Sequence, residues 1–267
     1  MSTTIQWTDE TWNPVTGCTR VSEGCRNCYI ERTPPFRMGG RKLGDPVQLH
    51  HDRLEQPLHW KKPRRVFVNS LSDLFHEDVP DEFLEQVFSV MHRTPNHTYQ
   101  ILTKRPQRMR QWFTRSIESW TYSALPAAPS WPFSNVWLGV SVEDQKTADE
   151  RIPMLLQTPA AVRWVSVEPL LGPVDLYRGG FTFLERLTSP SGTHYGKLDW
   201  VVVGGESGPR ARPCDFPWIR SILGQCAEVA VPCFVKQLGS SQRITRDHKG
   251  GDPSEWPADL RVREWPR

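Results

Sequence analysis

A chain of 267 residues is long enough to bury a full hydrophobic core, and single α/β domains commonly reach about 200–250 residues. Hydrophobic residues make up 37% and charged residues 24%, which argues against disorder, and apolar runs such as Val201 to Val203 are far too short to span a bilayer. The net charge of +3 and pI near 8.6 permit a nucleic-acid partner without demanding one.

Met1 to Asp9 is polar and acidic and lacks the basic start and apolar stretch of a secretory signal, so the expectation is a cytoplasmic protein with no membrane partner. Thr11 to Val15 reads as a weak first strand. Stronger strands follow at Val66 to Asn69, Tyr99 to Thr103, Val136 to Val142, Val162 to Val167, Trp200 to Val203 and Cys233 to Lys236. Each is nearly continuous in apolar character, as parallel strands covered on both faces require.

Helix periods lie between them. Asp81 to His92 repeats apolar residues at Phe83, Leu84, Val87, Phe88 and Met91 behind Pro80 and an acidic first turn. Thr147 to Leu156 is a second, which Pro153 would kink or shorten, and Trp218 to Val229 a third. Strands alternating with helices imply βαβ units and a parallel sheet, with residues 1–240 read as one α/β domain. Thr121 to Pro132 and Leu187 to Leu198 read as loop insertions, and residues 241–267 as a loosely packed C-terminal appendage.

Functional groups of α/β barrels sit in loops at the carboxyl ends of strands. There this chain places Ser70 to Glu77, Thr103-Lys104-Arg105-Pro106, Ser141-Val142-Glu143, Ser166-Val167-Glu168, Gly204-Gly205-Glu206 and Lys236-Gln237. Their recurrence would line one rim with hydrogen-bonding groups, as a polar cofactor requires. Glu168, Glu206 and Lys236 stand there on strand-end position alone, equally readable as site lining or as structural ion pairs. Gly204 and Gly205 could let backbone approach a phosphate or an adenine, but their spacing is not that of a dinucleotide-binding turn.

The most specific feature is Cys18-x6-Cys25-x2-Cys28. Six cysteines in a cytoplasmic chain point to metal ligation or burial rather than disulfides, and Cys214, Cys226 and Cys233, scattered through strand- and helix-like segments, read as buried. A structural zinc is usually closed by four ligands, and the next candidates, His50 and His51, lie more than twenty residues on. Three thiolates on a cubane 4Fe–4S cluster leave one iron open for a substrate or cofactor.

Trp12-Asn13-Pro14-Val15, Gly17-Cys18, Gly24-Cys25 and Asn27-Cys28-Tyr29 resemble the phage-associated three-cysteine-motif family, related to radical S-adenosylmethionine enzymes. The match continues through Ser70 to His76, Leu102 to Pro106, Leu138 to Glu143, Ser166 to Leu171, Gly204 to Gly208 and Phe234 to Gln237. Several of these elements are similar to those of spore photoproduct lyase. The loop departs from the commonest superfamily spacing, Cys-x3-Cys-x2-Cys, by three residues between its first two cysteines, while Tyr29 keeps the aromatic after the last.

The resemblance implies a partial (β/α)6–7 TIM-like barrel of the radical S-adenosylmethionine type, with Cys18, Cys25 and Cys28 as cluster ligands and S-adenosylmethionine as cofactor. It implies cleavage of the cofactor to a 5′-deoxyadenosyl radical, with a reductant such as flavodoxin or ferredoxin and a partner protein. By position, Ser72 and Asp73 take the methionine amino group, Lys104 its carboxylate, and Ser141 and Glu143 the ribose; Tyr29, Ser70, Glu168, Gly204 and Glu206 complete the cofactor site. Basic residues at Lys61 to Arg65 and Lys104 to Arg110, with Trp60, Trp112 and Trp120 nearby, suit a nucleic-acid substrate, against the plainer reading of a solvated rim and core tryptophans. Two rival readings stand beside this one: a zinc-stabilised nucleic-acid-binding module without catalysis, and an accessory protein that keeps the barrel but not the chemistry.

Overall fold

The computed structural model describes residues 3–122, 131–177, 182–185, 187–188, 194–241 and 245–266. Much of the two expected insertions, Thr121 to Pro132 and Leu187 to Leu198, lies outside these residues. In chain order the strands are β1 (Glu10–Trp12), β2 (Val15–Thr16), β3 (Gln48–Leu49), β4 (Arg65–Val68), β5 (Thr98–Thr103), β6 (Val136–Val142), β7 (Val162–Val167), β8 (Leu187–Thr188), β9 (His194–Tyr195), β10 (Trp200–Gly204) and β11 (Cys233–Gln237). The α-helices are α1 (Pro34–Arg37), α2 (His51–Leu54), α3 (Asp81–Arg93), α4 (Pro106–Tyr122), α5 (Gln145–Leu156) and α6 (Phe216–Glu228).

Seven strands hydrogen-bond in the order β1-β4-β5-β6-β7-β10-β11, and the pairs β1/β4, β4/β5, β7/β10 and β10/β11 are parallel. This order follows the chain without reversal, so the sheet has no topological switch point of the Rossmann kind. Crossovers that always step the same way are the winding of a barrel, and this mixed α/β fold is compatible with a partial TIM-like one.

The chain divides into two compact units, one of Met1–Arg20, Ile30–Gly139 and Gln157–Val162, the other of Val21–Tyr29, Val140–Leu156 and Arg163–Arg267. In the first unit, the expected first strand is split. Glu10–Trp12 pairs with β4, whereas Val15–Thr16 turns away to pair antiparallel with β3, because Pro14 between them has no N–H to give a ladder. Helix α3 buries Phe83, Leu84, Val87, Phe88, Val90 and Met91, with acids in its first turn and bases in its last, as the helix dipole favours.

Helix α4 was not expected: its basic residues read as a strand-end cluster. Pro106 opens it, a position where the missing N–H costs nothing, and Met109, Trp112, Phe113 and Ser116 recur on one buried face. Trp112 stacks on Phe88 with ring centroids 4.8 Å apart and is 1% exposed.

In the second unit β10 is buried throughout, and α6 packs with Ile219, Ile222 and Cys226 buried. Pro153 does not end α5; it falls in the last turn, where little of the helix remains to lose hydrogen bonds. The C-terminal segment packs tightly rather than loosely. Trp256 and Leu260 are buried, Val235 N–H donates to Val262 O at 2.9 Å, and Glu264 N–H donates to Cys233 O at 2.9 Å, which covers the free edge of β11. Its charged composition is accommodated because Arg263 lays its guanidinium over Phe234 and Trp256, 5.2 and 5.1 Å from the ring centroids.

Candidate functional site

In the first unit the segment after β2 carries Cys18. Gly17, at φ +100°, donates its N–H to Leu71 O at 3.1 Å, which sets the cysteine beside the loop that follows β4. That loop opens at Asn69, a left-handed residue at φ +59° whose Oδ1 accepts the Val15 N–H at 3.3 Å. Asn13 reaches back to the same loop, its Oδ1 accepting from Ser70 Oγ at 3.1 Å and Leu71 N–H at 2.9 Å, and Ser72 Oγ donates to Val15 O at 2.9 Å. The structure thus brings Ser70, Ser72 and the Cys18 segment together.

Asp73 is buried and accepts from four donors. Thr103 Oγ1 lies at 2.7 Å, the backbone N–H groups of Phe75 and Lys104 at 3.0 Å each, and Arg105 Nη1 at 3.2 Å. Arg105 is the residue that sequence reasoning passed over in favour of Lys104. Its guanidinium also meets Glu77 Oε2 at 3.0 Å, Thr19 Oγ1 at 2.6 Å and Cys18 Sγ at 3.8 Å. Burial works against this cation, but Asp73 and Cys18 outweigh it and raise its pKa, so a fixed positive charge stands beside the sulfur. Behind it, buried His76 accepts the Asp78 N–H on Nδ1 at 3.2 Å, which leaves Nε2 to donate to Thr19 Oγ1 at 2.9 Å. Burial, and next the Arg105 charge, hold its pKa below the usual histidine range.

In the second unit the loop 21–29 carries Cys25 and Cys28 and is fastened by two buried carboxylates from strand ends. Ser22 Oγ donates to Glu143 Oε1 at 2.9 Å instead of capping the short turn that it precedes. Glu143, 1% exposed, is also held by Arg151 Nη1 at 3.2 Å from each oxygen, and a side chain at Gly24 would collide with it. Asn27 Nδ2 donates to Glu206 Oε2 and to Arg210 O, both at 3.0 Å. Arg212 grips Glu206 bidentately at 2.6 and 3.0 Å and donates to Glu23 O at 3.0 Å. Burial would raise the Glu206 pKa; the Arg212 and Asn27 hydrogen bonds overcome it and lower the value. Nothing in the sequence marked Arg151 or Arg212, which lie eight and six residues beyond their carboxylates.

Ser141, Glu168, Gly204 and Lys236 cluster on one another, whereas Tyr29 is exposed. Ser141 Oγ donates to Glu168 O at 3.0 Å, Ser166 Oγ to Glu168 Oε2 at 3.2 Å, and Lys236 Nζ lies 3.1 Å from Glu168 Oε1. The space that Gly204 leaves is taken by the Glu168 carboxylate, and that beside Gly205 by the Leu238 backbone.

None of the six cysteines is recorded in a disulfide, and they divide cleanly. Cys214, Cys226 and Cys233 are buried, and burial first of all pushes the Cys214 thiol up to about 12. Cys18, Cys25 and Cys28 are half-buried, on loops fastened by charged side chains, and a set of thiol donors suits a soft metal or an iron–sulfur cluster. Among the described residues no group of three or more His, Cys, Asp or Glu side chains stands already gathered for a metal ion.

One tryptophan and much of the second basic run expected to face nucleic acid do other work. Trp112 is core, Arg105 is 9% exposed on its side chain, and Arg108 donates to the carbonyls of His76 and Val79. Burial of these groups on and just before α4 leaves Lys61 and Lys62, both exposed beside half-buried Trp60, as the basic run that faces solvent. No helix among the described residues is long and apolar enough to cross a membrane.

No curated protein and no solved structure matches the chain. A family match spans residues 2–257, nearly the whole sequence, and on that ground the chain belongs to the family described as "Protein of unknown function (DUF5131)".

Proposed function

We propose that this chain is a radical S-adenosylmethionine enzyme on a partial barrel of that type, with Cys18, Cys25 and Cys28 as ligands of a 4Fe–4S cluster. The observation that carries the reading is the division of the cysteines: three are sealed in the core, while the other three lie half-exposed on loops pinned by Arg105, Glu143 and Glu206. When bound, the cluster and cofactor would supply one-electron cleavage and a 5′-deoxyadenosyl radical.

The chain's own residues have separate tasks. Arg105 stabilises the thiolate of Cys18, the form that ligates metal. Glu143 and Glu206 hold Ser22 and Asn27, and so the loop between them, in place. Ser72 and Asp73 would orient an amino group, Lys104 a carboxylate, and Ser141 a ribose.

A second reading, an accessory protein that keeps the fold without the chemistry, is favoured by one fact. Asp73, Glu143, Glu168 and Glu206 are each engaged by Arg105, Arg151, Lys236 and Arg212. One assay separates the readings: anaerobic reconstitution with iron and sulfide, reduction with dithionite, and detection of 5′-deoxyadenosine. Release of the nucleoside, abolished in Cys18→Ala, Cys25→Ala and Cys28→Ala, supports the enzyme. A cluster without nucleoside supports the accessory protein, and a colourless protein holding zinc supports the structural module.

A further inference from the structure

Arg105 stands at the head of α4 with its backbone fixed on both sides. Its N–H donates to Thr103 Oγ1 at 2.9 Å, and its carbonyl accepts the Met109 N–H at 3.2 Å. The guanidinium is fixed as well, because Nη2 donates to Thr19 O at 3.3 Å and to Thr19 Oγ1, the same oxygen that meets His76. With these contacts made, Nη1 is left aimed between Asp73 Oδ2 at 3.2 Å and the sulfur of Cys18 at 3.8 Å. It cannot swing off the sulfur without disturbing the bonds to Thr19, Asp73 and Glu77. In the second unit the arginine that grips the cysteine loop, Arg212, gives its donors to Glu206 and Glu23 instead.

We infer that Arg105 sets the reduction potential of the cluster proposed above, acting through Cys18 as a positioning residue that makes reduction easier. The inference rests on the enzyme reading and names a residue that regulates its site. Reduction adds negative charge that is shared with the ligand sulfurs, so an N–H···S bond and a fixed cation beside one of them favour the reduced form. Two carboxylates oppose this. Glu77 is 64% exposed, so water screens its charge, whereas Asp73 is already met by Thr103 Oγ1 and the N–H groups of Phe75 and Lys104. The group that faces the sulfur is the donor, and its effect prevails. Help with ligation would show as metal affinity; a bias between oxidised and reduced forms shows as potential. A lysine could bring the charge but not the fork that keeps one N–H on sulfur while other nitrogens hold Glu77 and Thr19.

The test is a redox titration of the reconstituted full chain, followed by EPR, with dithionite as the source of electrons. Arg105→Gln should make the cluster about tenfold harder to reduce, which is a potential about 59 mV lower for a one-electron couple, and Arg105→Lys should lie between it and the wild type. Thr103→Val removes one bond to Asp73 and one to the Arg105 backbone but leaves the guanidinium in the chain, so it should keep the equilibrium within about twofold. A merely structural role would lower both variants alike. If Arg105→Gln does not fold or assemble, the wild-type chain grown with isotope-labelled arginine decides: nitrogen coupling to the reduced cluster is expected in pulsed EPR, and its absence overturns the inference. An unchanged or raised potential in Arg105→Gln, or an equal fall in Thr103→Val, overturns it too. The two readings fail separately. A wild-type chain that assembles no cluster defeats the enzyme and this inference with it, whereas a cluster indifferent to Arg105 defeats the inference alone.

Discussion

Arg105 shows how much of the site rests on a single side chain. It joins Asp73, Glu77, Thr19 and Cys18 from one planar group, at side-chain exposures of 9% for itself and 7% for Asp73. Removing one partner of a buried pair leaves the other uncompensated, so Arg105→Met should lower unfolding stability by about 3–5 kcal/mol in urea titrations. Arg105→Lys should recover only part, because a point charge cannot make the forked contacts. A loss below about 1 kcal/mol would show the pair to behave as an exposed one. At this scale the sequence made the types of residue legible but not their partners. The three core cysteines could be recognised from apolar neighbours, whereas the grip of Arg212 on Glu206, and through Glu23 on the cysteine loop, depends on tertiary placement that no spacing encodes.

Elements were legible where one period dominated. Strands β6 and β7 fall where continuous apolar runs put them, and α3 where its apolar stripe and acidic start put it. Helix α4 escaped notice because Lys104 to Arg110 draws the eye to charge, although Met109, Trp112 and Phe113 stand at the spacing of one helix face. Its contribution is nevertheless large. Trp112 stacks on Phe88 and touches Phe113 edge-on at 4.8 Å, so Trp112→Ala should cost about 3–5 kcal/mol while leaving any affinity for single-stranded nucleic acid unchanged. Weakened binding at unaltered stability would return Trp112 to the nucleic-acid face. The C-terminal segment misled for the opposite reason: its arginines, counted as solvent-facing charges, lie over aromatic rings or donate to backbone carbonyls.

At the scale of the whole molecule the chain-ordered sheet was foreseeable from alternating strands and helices, since that alternation with right-handed crossovers admits few other topologies. What composition could not show is how the fold responds to acid. Burial above all lowers the pKa values of His50, His76 and His97. The unfolded chain then takes up protons near the ordinary histidine value of about 6.5 that the native chain refuses. Stability from these groups is complete above that pH and falls as the pH drops through it toward the lowered values. The urea midpoint should therefore fall between about pH 7.5 and about pH 5.5, before most carboxylates titrate, and His97→Phe should flatten the dependence. A midpoint that rises over that interval would contradict the assignment.

The most direct test of the central claim is the metal content of protein purified without oxygen. The account predicts about four irons and matching sulfide per chain, with broad visible absorption that disappears in Cys18→Ala. One zinc per chain in a colourless protein would contradict it.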